Sequence, residues 1–203
     1  MTKHLSKRYK VENTETDTIN ETDTITKIIV LDIETTGLSD TDKIIQIAYN
    51  VYDGNMILLS EHNVLINENV DRTDFFNRFT LDEIKEKGLP AEVVLNQLKD
   101  ILDGCKYIVG HNIAFDVEKL NSYYTKYNIE CIMPKSICTM KSSKYKLKLK
   151  NSKGWIKNPK LSELYKYYYE TDANEETLHD ASYDIDITFL CFKKLVEDGL
   201  IIL

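Results

Sequence analysis

The sequence predicts an α/β protein whose mixed β-sheet opens with antiparallel strands and is flanked by helices. Two observations support this fold class. Three apolar, strand-like runs come first, and helical patterns that alternate with short strand candidates follow them. This order is typical of a sheet covered by helices. A chain of 203 residues, 42% of them hydrophobic, is also long enough to bury the core of one domain.

The opening strands are predicted from three runs near the start of the chain. Residues 27–33 form an apolar, β-branched run that is typical of a buried strand. Residues 43–52 form the second strand, and the loop 37–41 joins it to the first. Asp53-Gly54 is a strong hairpin signal, so residues 56–66 should return as the third strand. We therefore expect an antiparallel meander.

Helical patterns dominate the rest of the chain. Thr80 and Glu83 form a capping box, which marks the start of a helix. Helical spacing then recurs at Val93, Val94, Leu98, Ile101 and Leu102. The further predicted elements are a short strand at 106–109, a helix at 115–127, a helix with Pro159 in its first turn that ends near Tyr169, and a last helix over 181–196. That last helix carries Ile185, Phe189, Phe192 and Val196 on one face.

Composition bounds the organisation of the chain. Residues 1–25 are polar and lack hydrophobic periodicity, so we expect a disordered tail before a domain over residues 26–203. No apolar run approaches the roughly 20 residues of a membrane helix, and the basic start lacks the hydrophobic stretch of a secretory signal. The four cysteines are scattered, which favours a reducing intracellular compartment, cytoplasmic or nuclear. A net charge of −7 is unusual for a non-enzymatic DNA-binding domain.

The first candidate site lies at the end of the first strand, where Asp32 and Glu34 are two residues apart. Side chains at i and i+2 of a strand point to one face, so the two carboxylates lie side by side. Crowded like charges favour a bound cation, and oxygen ligands suit Mg²⁺ or Mn²⁺. The alternative is an ordinary solvated strand end. In the following loop, Thr35, Thr36 and Gly37 could hold a sugar or a phosphate.

Two further clusters lie later in the chain. The run from Gly110 to Asp116 is typical of a strand-to-helix corner, with Asp116 on the first turn of the helix. His111 is expected to be structural or to contact substrate, because no second histidine lies at ligand spacing. His179 and Asp184 are spaced so that they cannot share a helix face. If His179 lies in the preceding loop, it can fold over Asp184. Alone, this pattern also suits an ordinary helix N-terminus.

Together the three clusters resemble the motifs of the DEDDh family of DnaQ-like 3′–5′ exonucleases, which includes the proofreading subunit of bacterial replicative polymerases. The family motif Asp-x-Glu-Thr-x-Gly matches residues 32–37, His-Asn-x-x-Phe-Asp matches 111–116, and His-x-Ala-x-x-Asp matches 179–184. The resemblance runs from about residue 26 to the C-terminus and implies an RNase H-like fold. Gln46 departs from the pattern, because relatives often have Glu at that position.

The resemblance implies hydrolysis of phosphodiester bonds with two divalent ions, Mg²⁺ or Mn²⁺. The implied metal ligands are Asp32, Glu34, Asp116 and Asp184, and His179 would accept the proton of the attacking water. The candidate substrate contacts are Thr35, Thr36, Gly37, Leu38, His111, Asn112 and Phe115. The substrate would be a nucleic acid with a free 3′ end, with DNA and single strands favoured, and the product would be a nucleoside 5′-monophosphate.

Other functions stay open at this point. An exoribonuclease of the same family would use the same catalytic residues, so the motifs do not separate DNA from RNA. A non-catalytic module that binds or docks on nucleic acid is disfavoured because every catalytic position is filled, and a purely structural domain is disfavoured for the same reason. Because the chain carries no polymerase or helicase pattern, a proofreading or repair role is expected to need a polymerase or other replication partner. No membrane partner is expected.

A basic segment is the last candidate. Residues 141–160 contain eight lysines and no acidic residue, with two aromatic residues among them. Aromatic rings between cations suit a single strand through base stacking and phosphate contact, which predicts substrate contacts at Lys146, Lys148 and Trp155. The alternative is an edge strand protected by lysines, because apolar residues and lysines alternate over residues 145–150.

Overall fold

The computed structural model describes residues 26–39, 41–68, 70, 79–174 and 178–203. Within these ranges the chain forms a six-stranded sheet and six helices. The strands are β1 (Ile28–Thr35), β2 (Ile44–Tyr52), β3 (Leu58–Asn67), β4 (Leu89–Pro90), β5 (Tyr107–Gly110) and β6 (Lys135–Cys138). The helices are α1 (Leu81–Lys87), α2 (Ala91–Leu102), α3 (Ile113–Lys126), α4 (Thr139–Leu147), α5 (Leu161–Tyr169) and α6 (Ala181–Glu197). The tail predicted for residues 1–25 lies outside the described residues and stays a prediction.

The sheet runs in the order β4-β3-β2-β1-β5-β6 and is mixed. β2 pairs antiparallel with both β1 and β3. On the other side, β5 is parallel to β1 and β6 is parallel to β5, while the short β4 is parallel to β3. The predicted fold class is therefore confirmed, since an antiparallel meander opens a mixed sheet that helices flank.

The central strand β1 is covered on both faces, which explains its continuous apolar sequence. Every second residue of Ile29–Ile33 belongs to a core cluster that includes residues of α2 and α3. Ile28 and Val30 belong to the opposite cluster, which includes residues of α5 and α6. Because side chains alternate along a strand, Asp32 and Glu34 continue the face that lies toward α6. The two core layers thus decide where the carboxylates emerge.

Most predicted helices are present with shifted ends. α1 begins after Thr80, and both side-chain bonds of the capping box with Glu83 are formed. α2, α3 and α6 cover the predicted helical patterns. α5 is present as well, but Pro159 lies before its N-cap residue, Lys160, rather than in its first turn. The sequence patterns do not predict β4, β6 or α4. None of the described helices is long and apolar enough to cross a membrane.

The hairpin between β2 and β3 is present, but its turn is longer than the Asp-Gly dipeptide suggests. β3 begins at Leu58 rather than at Met56, so residues 53–57 form the connection. The carboxylate of Asp53 accepts two backbone N–H groups of this turn, and Met56 takes the left-handed conformation with φ of 64°. The turn is therefore stabilised by the side chain of Asp53, whereas the Asp-Gly dipeptide predicts a tight turn that depends on the glycine.

The lysine-rich segment does not form an edge strand of the described sheet, which rules out the alternative interpretation and leaves substrate contact as a prediction. Residues Thr139–Leu147 form α4, and the edges of the described sheet are β4 and β6. The lysines alternate with period two, but the buried residues follow a helical period, because Thr139 and Ser143 are buried one turn apart. The helix ends at Lys148, whose left-handed backbone has φ of 50°. Beyond the helix, the segment forms an isolated antiparallel bridge between Lys150 and Ile156, which is separate from the six-stranded sheet.

Candidate active site

Strand β1 carries two carboxylates to the margin of the core. The antiparallel partner of Glu34 on β2 is Gln46, and the register shifts directly after Glu34. Burial raises the pKa of Asp32 well above its ordinary value, and four neighbouring carboxylates raise it further. These carboxylates are Asp116, Asp184, Glu34 and Asp180. The end of the strand is thus a cluster of like charges that a cation would stabilise.

The N-terminal end of α6 faces this strand end. Asp184 lies in the first turn of α6, and His179 lies just before the helix with a left-handed backbone, φ 65°. One ring nitrogen of His179 and one oxygen each of Glu34 and Asp184 lie within 4.8 Å of one another. The approach of His179 to Asp184, which their spacing predicts, is therefore present. Three ligand atoms at this separation can surround one divalent cation.

Asp116 joins the cluster from the first turn of α3. Its side chain is buried, and Oδ1 accepts the backbone N–H of Ile33 at 3.2 Å. This bond fastens α3 to the stretch of β1 between the two strand carboxylates. Burial raises the pKa of Asp116 to about 7, although hydrogen bonds to backbone N–H groups, including that of Ile33, oppose the shift. A nearby cation would restore the charged form at neutral pH.

A cavity of about 560 Å³ opens beside these groups. Its lining residues are Asp32, His111, Lys160, Leu161, Ser162, Leu178, His179 and Asp184. Lys160 and Ser162, at the start of α5, belong to none of the sequence motifs. Lys160 is one of eight lysines in its segment, and no sequence pattern distinguishes it from the others. A cation in the wall of an otherwise acidic cavity is suited to contact a phosphate group.

Residues 29–192 match the family model of the RNase T type, described as Exonuclease. The matched span covers most of the chain and contains all three motifs that converge on the cavity. The chain belongs to this exonuclease family. Its predicted family is therefore confirmed.

Relatives of this exonuclease are much longer proteins. The PolC-type DNA polymerase III of Mycoplasma genitalium is 27% identical over a 192-residue alignment that covers 84% of this chain and 12% of the polymerase. The PolC-type polymerase of Streptococcus pneumoniae serotype 4 is 32% identical over 118 residues, 55% of this chain and 8% of the polymerase. The chain thus spans only about a tenth of the length of these curated relatives.

Solved structures of exonuclease I share the fold. Escherichia coli exonuclease I in complex with a dA16 oligonucleotide has a TM-score of 0.70 at 16% identity, covering 86% of this chain and 42% of that one. A product-bound exonuclease I structure has a TM-score of 0.70 at 14% identity, covering 87% and 45%. The RNase H-like fold that the motifs imply is therefore confirmed.

In this exonuclease, His111 is partly buried and connects two segments of the chain. Its Nδ1 lies 2.9 Å from Oγ1 of Thr139, and its Nε2 lies 3.0 Å from the carbonyl oxygen of Pro159. Burial lowers the pKa of His111 to about 4, so the ring is neutral at neutral pH and Nε2–H donates to Pro159. The ring fastens the β5–α3 corner to the segment that leads into Lys160. The next residue, Asn112, is exposed at the N-cap of α3 with φ of 73°.

The loop after β1 contains several of the predicted substrate contacts. Oγ1 of Thr35 donates to the carbonyl of Gly37 at 2.6 Å, and Oγ1 of Thr36 donates to Oδ1 of Asp42 at 3.1 Å. A Cβ atom on Gly37 would lie 2.6 Å from Oδ2 of Asp42, so a side chain there would displace that carboxylate. Both threonine hydroxyls therefore shape the loop, whatever else they contact.

Lys119 of α3 forms hydrogen bonds to the backbone of the same loop. Its side chain is buried, and Nζ donates to the carbonyls of Ser39 and Asp42, the second at 3.1 Å. Leu38, within the fastened loop, is 87% exposed and lines a cavity of about 350 Å³ together with Phe115. The predicted contacts Leu38 and Phe115 are thus neighbours on a surface that Lys119 helps to shape.

The predicted contacts of the lysine segment lie outside the cavity beside the carboxylates. Lys146 pairs with Asp198 at 3.1 Å, at the C-cap of α6. At the rise of an α-helix, that position is about 20 Å along α6 from Asp184. Lys148 and Trp155 lie on the connection between α4 and α5, where Trp155 is 72% exposed. Contact at these positions would require a strand that extends well beyond the cavity.

Proposed function

We propose that this exonuclease removes nucleotides one at a time from the 3′ end of a DNA strand with the help of divalent metal ions. The observation that supports this most is the convergence of three distant motifs. Glu34, His179 and Asp184 place ligand atoms within 4.8 Å of one another, and Asp32 and Asp116 belong to the same group of interacting carboxylates. Such crowding of carboxylates opposes folding of the metal-free protein. Phosphodiester hydrolysis with metal ions needs a group of carboxylates of this kind, because they hold the ions.

In this proposal, the carboxylates of Asp32, Glu34, Asp116 and Asp184 hold two ions. The donor set fits Mg²⁺ or Mn²⁺, because both ions prefer hard oxygen ligands and their charge offsets the repulsion that raises the pKa of Asp32. Bound ions would supply positive charge to the attacking and leaving oxygens. His179, whose side chain is exposed, accepts the proton of the attacking water.

The role of His179 is separable from metal binding by experiment. His179→Ala should lower kcat by about 10²–10⁴-fold, because the general base is lost, while the affinity for Mn²⁺ stays within about two-fold. Steady-state kinetics and calorimetric titration of the same samples measure the two quantities. An affinity loss as large as the rate loss would make His179 a ligand instead, which its position near Glu34 and Asp184 allows.

A single DNA strand is the proposed substrate. The relatives are DNA polymerases of PolC type, and the exonuclease I structures include complexes with dA16 and dT13. In this chain, Lys160 lines the cavity, and exposed Trp155 lies a few residues before it. We propose that the 3′-terminal nucleotide enters the cavity and that upstream nucleotides reach Lys148 and Trp155. Lys146 remains a proposed contact of the same strand.

Comparing a long with a short substrate separates an effect on these outer contacts from an effect on the hydrolysis step. The combined variant Lys146→Gln, Lys148→Gln, Trp155→Ala should raise KM on a long single strand and weaken its salt dependence, by about 0.7 of a counterion for each lost phosphate contact. Cleavage of a dinucleotide should be unchanged, because it is too short to reach these residues. Equal effects on both lengths would contradict the proposed path.

A replication or repair protein is the proposed partner. The relatives are DNA polymerase III of PolC type, and one exonuclease I structure is a complex with SSB-Ct. Co-purification or analytical ultracentrifugation with a polymerase or a single-strand-binding protein from the same organism would test this proposal.

A degradation assay tests the proposed function directly. Single-stranded DNA, duplex DNA and RNA of one sequence, each labelled at the 5′ end, are incubated with Mg²⁺, Mn²⁺ or EDTA. We expect a ladder of labelled products from single-stranded DNA with either ion and no cleavage in EDTA. The folded double variant Asp32→Asn, Glu34→Gln should be inactive. Early release of the 5′ label, or wild-type turnover by the double variant, would contradict the proposal. Faster cleavage of RNA would change the substrate class.

A further inference from the structure

Gln46 connects strand β2 to the start of α6 through side-chain hydrogen bonds. Its side chain is fully buried, with 0% exposure. Nε2 donates to Oδ1 of Asp180 at 3.2 Å and to Oδ1 of Asn63 at 2.9 Å. Oε1 accepts the backbone N–H of Ala181 at 3.2 Å. Gln46 therefore holds both the side chain and the backbone of the two residues that follow His179.

Asp180 is itself fixed at the N-terminus of α6. It is the N-cap residue, and its Oδ1 accepts the N–H of Ser182 at 2.9 Å as well as the Ser182 hydroxyl. One carboxylate oxygen thus receives both the helix cap bond and the bond from Gln46. The segment from Asp180 to Ser182 is consequently tied both to α6 and to the sheet.

His179 is held in a conformation that needs such support. Its φ of 65° is in the left-handed region, which is unfavourable for a residue other than glycine. Released from its neighbours, this turn would relax toward ordinary backbone angles and carry the imidazole away from Glu34 and Asp184. Gln46 is also the strand partner of Glu34, so this residue contacts β1 through its backbone and the start of α6 through its side chain.

We infer that Gln46 and Asp180 form a positioning pair that holds the His179 ring over Glu34 and Asp184. The inference deepens the proposed function, because it rests on His179 acting in that reaction. The amide of Gln46 is essential, since a glutamate here would set a second carboxylate about 3 Å from that of Asp180. The pair therefore requires one donor and one acceptor, and this chain supplies them as Gln and Asp.

A double-mutant cycle tests the pair. Gln46→Glu should lower kcat by about 10–100-fold and leave KM within about two-fold, because His179 moves while the substrate contacts remain. Asp180→Asn retains the accepting oxygen and should change kcat less than about three-fold. Combined with Gln46→Glu, it removes the opposed charges and should recover most of the loss. If the fold-change in kcat of the double variant equals the product of the two single fold-changes, the two residues are not coupled.

Asn50 offers a matched control on the same strand. It is buried, and its Nδ2 donates to Oδ1 of Asp186 on α6 at 3.2 Å. Asn50→Asp therefore also replaces an amide donor on β2 by a carboxylate that faces an aspartate of α6, but away from His179. It should lower the melting temperature much as Gln46→Glu does and leave kcat unchanged. If both variants lower kcat equally, general destabilisation explains the effect and the inference is overturned.

The NMR signals of the His179 ring give a readout that does not depend on activity. They are assigned as the imidazole signals that disappear in His179→Gln. They should shift in Gln46→Glu, stay unchanged in Asn50→Asp and return toward the wild-type position in the double variant. If Gln46→Glu fails to fold, Gln46→Met removes the same bonds without a charge and should shift them too. Unmoved signals in a folded Gln46 variant overturn the inference, whereas an inactive wild-type protein with these shifts would overturn only the proposed reaction.

Discussion

The partly buried imidazole of His111 should make the free energy of unfolding depend on pH. Burial lowers its pKa from the usual 6.5 to about 4, so the unfolded chain binds this proton before the folded protein does as the pH falls. The favourable contribution is complete above about pH 6.5 and is lost toward pH 4, by up to roughly 3 kcal/mol. His111→Gln keeps a donor and an acceptor without titrating. Urea unfolding across this pH range should show the wild type losing stability relative to the variant, and parallel curves would argue against a neutral buried ring.

Lys160 is the lysine of its segment that lines the cavity beside Asp32 and Asp184. Lys160→Gln should raise KM for a single strand by about ten-fold and reduce the salt dependence by about 0.7 of a counterion, because one phosphate contact is lost. Lys194→Gln is the matched control, since that ammonium pairs with Glu197 near the far end of α6. Steady-state kinetics in a salt titration measure both effects. Similar changes in the two variants would mean that only the overall charge matters.

At this scale, sequence reasoning succeeds for residues joined by a short motif. Asp32 and Glu34 share a face because strand geometry requires it. Gln46 and Asp180 meet across 134 positions of sequence, and no local pattern connects them. Lys160 is concealed by the lysines around it, and only the bond from His111 to Pro159 shows how its segment reaches the cavity. The groups that support the site are therefore harder to predict than the groups of the motifs.

Among the structural elements, the loop after β1 depends on a helix for its shape. Lys119→Met keeps the length of the side chain but leaves the carbonyls of Ser39 and Asp42 without their buried donor. Stability should fall by about 1–3 kcal/mol, and KM for a single strand should rise several-fold because the loop around Leu38 loosens. kcat should stay within about two-fold.

Lys126→Met, on the same helix, is the control for this variant. It removes the salt bridge to Glu68 at 2.8 Å and should leave KM unchanged. Kinetics and urea unfolding of both variants separate the loop effect from a general loss of helix stability. A KM for Lys119→Met equal to that of the wild type would show that the loop keeps its shape without the lysine.

The elements themselves were predictable where one hydrophobic period dominates. β1, β2 and α6 bury long apolar patterns, and tertiary packing reinforces what the local sequence favours. α4 has a weaker pattern, because its buried positions Thr139 and Ser143 are polar and small. Alternating lysines then imitate a strand, although lysine and leucine are good helix formers. Packing of α4 against its neighbours, rather than apolar periodicity, determines that this segment is helical.

For the molecule as a whole, the acidic cluster should couple stability to metal binding. Asp32→Asn removes a carboxyl group whose ionisation is opposed by burial and by four other carboxylates. In EDTA the variant should melt several degrees higher than the wild type, at about 2–4 °C for each kcal/mol. Mn²⁺ should raise the melting temperature of the wild type more than that of the variant. Scanning fluorimetry with and without metal measures both, and a variant that melts lower in EDTA would contradict the repulsion.

β1 lies between β2 and β5 in the middle of the sheet, so its amide protons should exchange with solvent only when much of the domain opens. We therefore expect the carboxylates of Asp32 and Glu34 to lie on a slow-opening part of the molecule. His179 sits instead on a turn that side-chain bonds hold in place, and such a turn can open locally. On warming, the protein should thus bind divalent ions at temperatures where turnover has already declined. The loss of activity on warming would then result from local opening of the few residues before α6, at temperatures below those that unfold the sheet.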